Sequence, residues 1–208
     1  MPKTKIISTG DPEAIPAAVQ TIRKGGLIAF PTDTVYGVAA DPFNPEALLK
    51  VYAAKQRPDE KALPALIGGL EQVGQLVATV DRSVYKIALT FWPGALTLIL
   101  PKRPDVPAEL SPYPTIGIRM PNLSFTLALL KQTGPLAATS ANRSGGPNPT
   151  TANDVINQLG DEIDLVLDGG PTPGPIASTV VDLTTPEVTI LREGPISLSD
   201  IQNCISEE

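Results

Sequence analysis

Apolar positions along this chain follow two rhythms. At the three- and four-residue spacings of a helix stand Ile15, Ala18, Val19 and Ile22, then Leu48, Val51 and Tyr52, then Val84, Ile87, Ala88 and Phe91, then Leu123, Leu127 and Leu130. Short apolar runs, too brief for helices, predict strands at residues 5–8, 27–30, 63–67, 95–100, 115–119, 136–141, 163–168, 177–183 and 188–193. Polar punctuation sets the boundaries. Asp11-Pro12-Glu13 opens the first helix, and Lys24-Gly25-Gly26 closes it with a glycine cap. Asn44-Pro45-Glu46 supplies an N-cap, a first-turn proline and a first-turn acid for the second. Further helices are predicted over 71–78 and 81–91, the latter broken by Trp92-Pro93-Gly94, and from Ser197. Thr151 with Asp154 predicts a capping box for a helix ending at Gly160.

Helices alternate with strands early in the chain. The last three strands are expected to follow one another through turns at Gly169-Gly170-Pro171 and Thr184-Thr185-Pro186. Five prolines between 101 and 114 mark a surface loop rather than a linker, because strand-like sequence resumes at Thr115. The pattern predicts one α/β domain over residues 1–208, a mixed sheet with flanking helices.

Composition narrows the chemistry. At 208 residues and 42% hydrophobic, the chain can bury a sizeable core. A net charge of −6 argues against a generally basic nucleic-acid-binding surface, though not against a local basic cleft. The absence of histidine excludes a Ser-His-Asp triad, His-ligated metals and a His general base. The single cysteine, Cys204, excludes an intramolecular disulfide and a Cys-based zinc site. No apolar run reaches membrane-spanning length, and the polar start Met1-Pro2-Lys3-Thr4-Lys5 has no signal-peptide core, so a cytoplasmic protein without membrane partners is expected. What remains is lysine, arginine, carboxylates, hydroxyls and backbone N–H groups, an inventory suited to phosphate chemistry by positioning and charge neutralisation.

Several stretches could carry it. Lys55 falls on the apolar side of its helix near the end, and Pro58 biases Arg57 out of the helix. With the hydroxyl-rich turn Thr32-Asp33-Thr34 they suggest an anion site, although cations near a helix C-terminus also complement its dipole. Thr139-Ser140-Ala141-Asn142 could equally be a strand end with turn residues. Thr115 and Arg119 share one face of a strand, and an arginine there needs a partner if buried. Ser178 and Arg192 are weak signals taken singly.

Together these stretches resemble one family. PTDTVYGV at 31–38, KQRP at 55–58, TIGIRMP at 115–121, TSAN at 139–142, STVVD at 178–182 and LREGP at 191–195 are similar, in order and approximate spacing, to the YrdC-like threonylcarbamoyl-AMP synthases. The KxR and SxN pair is that family's specific signature. The resemblance implies a twisted mixed sheet curved around a positively lined cavity. It implies an L-threonylcarbamoyladenylate synthase, a nucleotidyltransferase that joins L-threonine, bicarbonate or CO₂ and Mg²⁺-ATP to give threonylcarbamoyl-AMP and pyrophosphate. That product feeds tRNA N6-threonylcarbamoyladenosine synthesis, so downstream threonylcarbamoyl-transferase proteins are implied as partners and tRNA is a further candidate.

Carried over by position, Lys55 and Arg57 are the implied catalytic residues. With Lys61, Thr115, Ser140, Asn142 and Arg192 they would bind ATP. Thr32, Thr34, Arg119, Thr139 and Ser178 would bind threonine. Leu66 stands where some members have a threonine-contacting histidine. The longer branch of the family adds a C-terminal domain, and this chain is expected to be the short, stand-alone form. The resemblance indicates no metal ligands. An alternative is a nucleotide- or RNA-binding relative without synthase activity, disfavoured because both signature motifs are retained.

Overall fold

In the computed structural model, residues 4–58, 61–174, 177–185 and 187–206 are described. Pro186 of the predicted Thr184-Thr185-Pro186 turn and the first three residues of the polar start lie outside them. In chain order the elements are β1 (Lys5–Ser8), α1 (Ala14–Arg23), β2 (Ile28–Phe30), β3 (Gly37–Ala40), α2 (Pro45–Lys55) and β4 (Ala65–Leu66). Next come α3 (Arg82–Phe91), β5 (Leu96–Pro101), β6 (Thr115–Arg119), α4 (Ser124–Thr133), β7 (Leu136–Ser140) and α5 (Ala152–Leu159). The last are β8 (Leu165–Asp168), β9 (Thr179–Asp182), β10 (Thr189–Arg192) and α6 (Leu198–Ser206).

All ten strands join one sheet in the order β1-β8-β2-β3-β7-β4-β6-β5-β9-β10, with parallel and antiparallel pairs mixed. The expected α/β domain with a mixed sheet and flanking helices is therefore present. Local signals hold at several ends. The Asn44 side chain accepts from Ala47 N at 3.1 Å, and both bonds of the Thr151–Asp154 capping box form. Gly25 closes α1 at φ 69, a left-handed conformation that a Cβ would disfavour.

Four expectations need correction. Residues 37–40 form a strand that the pattern did not predict. The helix expected over 71–78 is a short 3-10 turn, Leu70–Gln75, with Gly74 inside it. The segment 101–114 is not purely a surface loop, because Val106, Leu110 and Ser111 are buried and Leu63 N donates to Leu110 O at 2.8 Å. Most consequentially, β8 and β9 are consecutive in sequence but far apart in the sheet. β8 lies between β1 and β2, whereas β9 lies between β5 and β10.

The sheet's two faces are covered differently, and this creates the site. On one face Ala29, Val38, Ala65, Leu96, Leu98, Ile116, Ile118, Ala137 and Val166 join a large core with residues of α2, α3, α5 and α6. Their alternate neighbours Ile28, Phe30, Ala39, Leu136, Leu165 and Leu167 point the other way and pack with α1 and α4. Those two helices cover only the β1-to-β7 half. Over the remaining strands the second face lines an open cavity.

Candidate functional site: a cationic cavity over half of the sheet

The cavity has a volume of about 550 Å³. Its floor comes from residues at two-residue spacing: Pro64 and Leu66, Thr97 and Ile99, Gly117 and Arg119, Ala138 and Ser140, Ser178 and Val180. A Cβ on Gly117 would come within 3.1 Å of Thr97 and 3.2 Å of Pro64, so only glycine leaves the floor flat there. The charged groups that line the cavity, among the described residues, are Arg57, Arg119 and Arg192.

Strand register separates them into two poles. Arg119 pairs across β4 with Leu66, and Leu66 pairs with Leu136, the first residue of β7. Ser140 is the last residue of β7, roughly 13 Å further along the strand direction. Thr139, Ser140 and Arg57 mark that far pole.

At the near pole, Arg119 is 7% exposed and held on three sides. Its Nε donates to Gly94 O at 3.1 Å, Nη1 to Thr34 Oγ1 at 3.1 Å, and Nη2 to the Asp33 carboxylate at 2.6 Å. Burial pulls its pKa down; Asp33 opposes that shift and nearby Arg192 reinforces it. Arg192, also lowered by burial, donates from Nε to Ser178 O at 3.0 Å and from Nη2 to Ser178 Oγ at 3.1 Å. Ser178 Oγ lies 2.8 Å from Thr97 Oγ1. Thr32 and Thr34 are buried in the turn above, 3.0 Å apart through their hydroxyls.

At the far pole, α2 ends at Gln56 in the left-handed conformation, φ 50, which swings Arg57 out of the helix. The sequence attributed this exit to Pro58; the turn itself is made two residues earlier, at Gln56. Arg57 donates from Nε to Lys61 O at 3.2 Å and from Nη2 to Ala62 O at 3.0 Å, and burial lowers its pKa. Lys55 turns the opposite way. The residue is 2% exposed, its ammonium donates to the carbonyls of Ser140 and Asn142, and its own carbonyl accepts from Ser144 N at 2.8 Å. Burial first, then the Arg57 charge, pushes its pKa down to about 7. Asn142 donates to Arg143 O and Gly146 O, and its Oδ1 is buried without a hydrogen-bond partner.

The predicted residues thus separate. Thr32, Thr34, Arg57, Arg119, Thr139, Ser140, Ser178 and Arg192 line the cavity. Lys55 and Asn142 lie behind its wall as a brace, the Lys61 side chain is exposed outside it, and Thr115 sits off its floor. Arg192, expected with the nucleotide, stands beside Ser178, expected with threonine, and Thr139, expected with threonine, adjoins Ser140, expected with the nucleotide. Leu66 is part of the floor. No local signal singled out Thr97, which reads as one more position in an apolar strand, or Asp33 as the partner of Arg119. Among the described residues no group of three or more His, Cys, Asp or Glu could hold a metal.

Fold and site together define an α/β domain with one cavity that carries arginines at both poles. Residues 20–194 match the family model Sua5_yciO_yrdC, described as Telomere recombination. The chain belongs to this family. It is 40% identical over 205 residues to the threonylcarbamoyl-AMP synthase of Bacillus subtilis, with 97% of this chain and 59% of that protein covered. It is 36% identical to a putative threonylcarbamoyl-AMP synthase of Mycobacterium tuberculosis, with 95% and 94% covered. The crystal structure of P. abyssi Sua5 complexed with L-threonine superposes with a TM-score of 0.92 at 38% identity, covering 98% of this chain and 62% of that one. The chain thus spans about three fifths of the longer relatives and nearly all of the shorter one.

Proposed function

We propose that this chain is an L-threonylcarbamoyladenylate synthase, making threonylcarbamoyl-AMP and pyrophosphate from L-threonine, bicarbonate or CO₂, and ATP. The observation that carries the reading is the two-pole cavity. It offers arginine and hydroxyl side chains from strand rows roughly 13 Å apart, in a protein with no histidine. Arg119 and Arg192, with Ser178, suit the amino-acid carboxylate, because guanidinium groups match carboxylates in planar pairs. Arg57, with Thr139 and Ser140, suits the nucleotide phosphates. The flat, apolar floor at Gly117, Ile99 and Pro64 between them leaves room for the bond-forming centre. Attack of a threonine carbamate on the α-phosphate brings anions together, so the cationic walls offset repulsion, and holding the reactants in line lowers the remaining barrier.

The described residues do not build a metal site of their own. Magnesium would arrive with the ATP phosphates, and no step assigned to these residues passes through it. The synthase reading further implies work in the cytoplasm, with tRNA modification enzymes taking up the adenylate. Among the described residues no helix is long and apolar enough to cross a membrane. The test is pyrophosphate release. It should require threonine and bicarbonate together, and ATP turnover that ignores both would overturn the proposal.

A further inference from the structure

The near pole holds four buried hydroxyls, and a count of their protons separates them. Each hydroxyl has one proton to donate. Thr32 donates to Val35 O at 2.7 Å. With that proton committed, Thr34 donates to Thr32 Oγ1, and its own oxygen accepts from Arg119. Both are therefore spent on building the turn and aiming the guanidinium. Ser178 and Thr97 differ. Ser178 Oγ accepts from Arg192 Nη2, and the two hydroxyls share one hydrogen bond. Two protons are present and only one is used, in a pair of residues 3% and 5% exposed that face the cavity.

Sheet register shows where the spare proton lies. Thr97 pairs with Val180, and Val180 pairs with Arg192. On its other side, Thr97 and Arg119 each stand one step beyond the paired Leu98 and Ile118. Thr97 thus sits in one row across the sheet between the two arginines of this pole. Donation from a guanidinium into Ser178 Oγ polarises the Ser178 O–H and makes it a better donor in turn. A chain running Arg192 to Ser178 to Thr97 therefore leaves the Thr97 proton free.

We infer that Thr97 contacts the substrate, donating its proton to a carboxylate oxygen of the amino acid held between Arg119 and Arg192, with Ser178 acting as a positioning residue. The inference rests on the proposed function for the identity of that amino acid. A buried donor left without an acceptor is costly, so this pole favours an anionic oxygen over an apolar group.

The experiment is calorimetric titration of the full chain with L-threonine, beside an assay of threonine-dependent pyrophosphate release by the wild type. Thr97→Val keeps the shape and removes the donor, and should weaken threonine binding about ten- to hundredfold. Thr97→Ser should stay within about threefold of wild type, and Ser178→Ala should cost less than Thr97→Val. Should Thr97→Val not fold, Thr97→Cys carries the same comparison, since a thiol is a weak donor. Equal threonine affinity in wild type and Thr97→Val overturns the inference, as does a larger loss in Ser178→Ala. Threonine binding that depends on Thr97, in a protein that releases no pyrophosphate, would keep the inference and overturn the synthase reading. A wild type that binds no threonine overturns both.

Discussion

Replacing Lys55 with methionine separates a brace from a phosphate ligand. The ammonium is buried beneath the far pole and holds the carbonyls of Ser140 and Asn142. A buried carbonyl left without a donor costs about 1–3 kcal/mol, so losing both costs about 2–6 kcal/mol, less what is regained by no longer burying a charge. At about 2–4 °C per kcal/mol for a chain of this size, a fall of several degrees in the thermal midpoint is expected toward pH 10, where the amine is neutral and no charge-burial cost is left to regain. The pH dependence adds a second signature. The pKa of Lys55 is lowered in the folded state to about 7. Between pH 7 and about 10 the unfolded chain therefore binds more protons, and stability rises with pH by up to about 1.4 kcal/mol per unit. Lys55→Met should lose that increment, so the gap between variant and wild type widens from pH 7 to pH 10. Thermal melts of both proteins across this range, with pyrophosphate release measured in parallel, decide the matter. A variant that is as stable as wild type at pH 7, with the same slope, would refute the brace. Lys55 would then be a cation whose removal relieves strain at an anion site.

Two further outcomes follow from the cavity geometry. Arg119→Lys keeps the charge opposite Asp33 but loses the planar fork, so the apparent KM for threonine should rise about ten- to hundredfold while that for ATP moves much less; a shift confined to ATP would reassign the pole. Gly117→Val presses a branched side chain against Thr97, Pro64 and Ile99, so it should abolish turnover and also lower a chemical denaturation midpoint; activity retained in the folded variant would show that the floor is not where the reactants meet.

Much of the fold was legible because its signals are local. The Asn44 and Thr151 caps and the glycine stop at Gly25 depend on neighbours within a few residues. The strand at 37–40 was not, since Gly37-Val38-Ala39-Ala40 has little β-propensity of its own and is held by β2 and β7 on either side. The separation of β8 from β9 is likewise a matter of tertiary pairing that no local pattern encodes. For the site, Arg119 in an apolar strand stood out at once, because a buried cation demands a partner, whereas Arg192 at a strand end did not. Which partner could not be read, as Asp33 lies 86 residues from Arg119. The helical period placed Lys55 on the buried side correctly, but period alone does not say whether an inward lysine meets a ligand or the backbone.

Because β4, β5, β6, β7 and β9 each divide their residues between core and cavity, chain length within them is fixed more tightly than residue identity. Deleting one residue from β5 would exchange Thr97 for Leu98, putting a hydroxyl into the core and an isobutyl group among the arginines. In β6 the same change would trade Arg119 for Ile118. Related chains are free to lengthen or shorten the connections between these strands. Gaps inside the strands would cost them fold and site together.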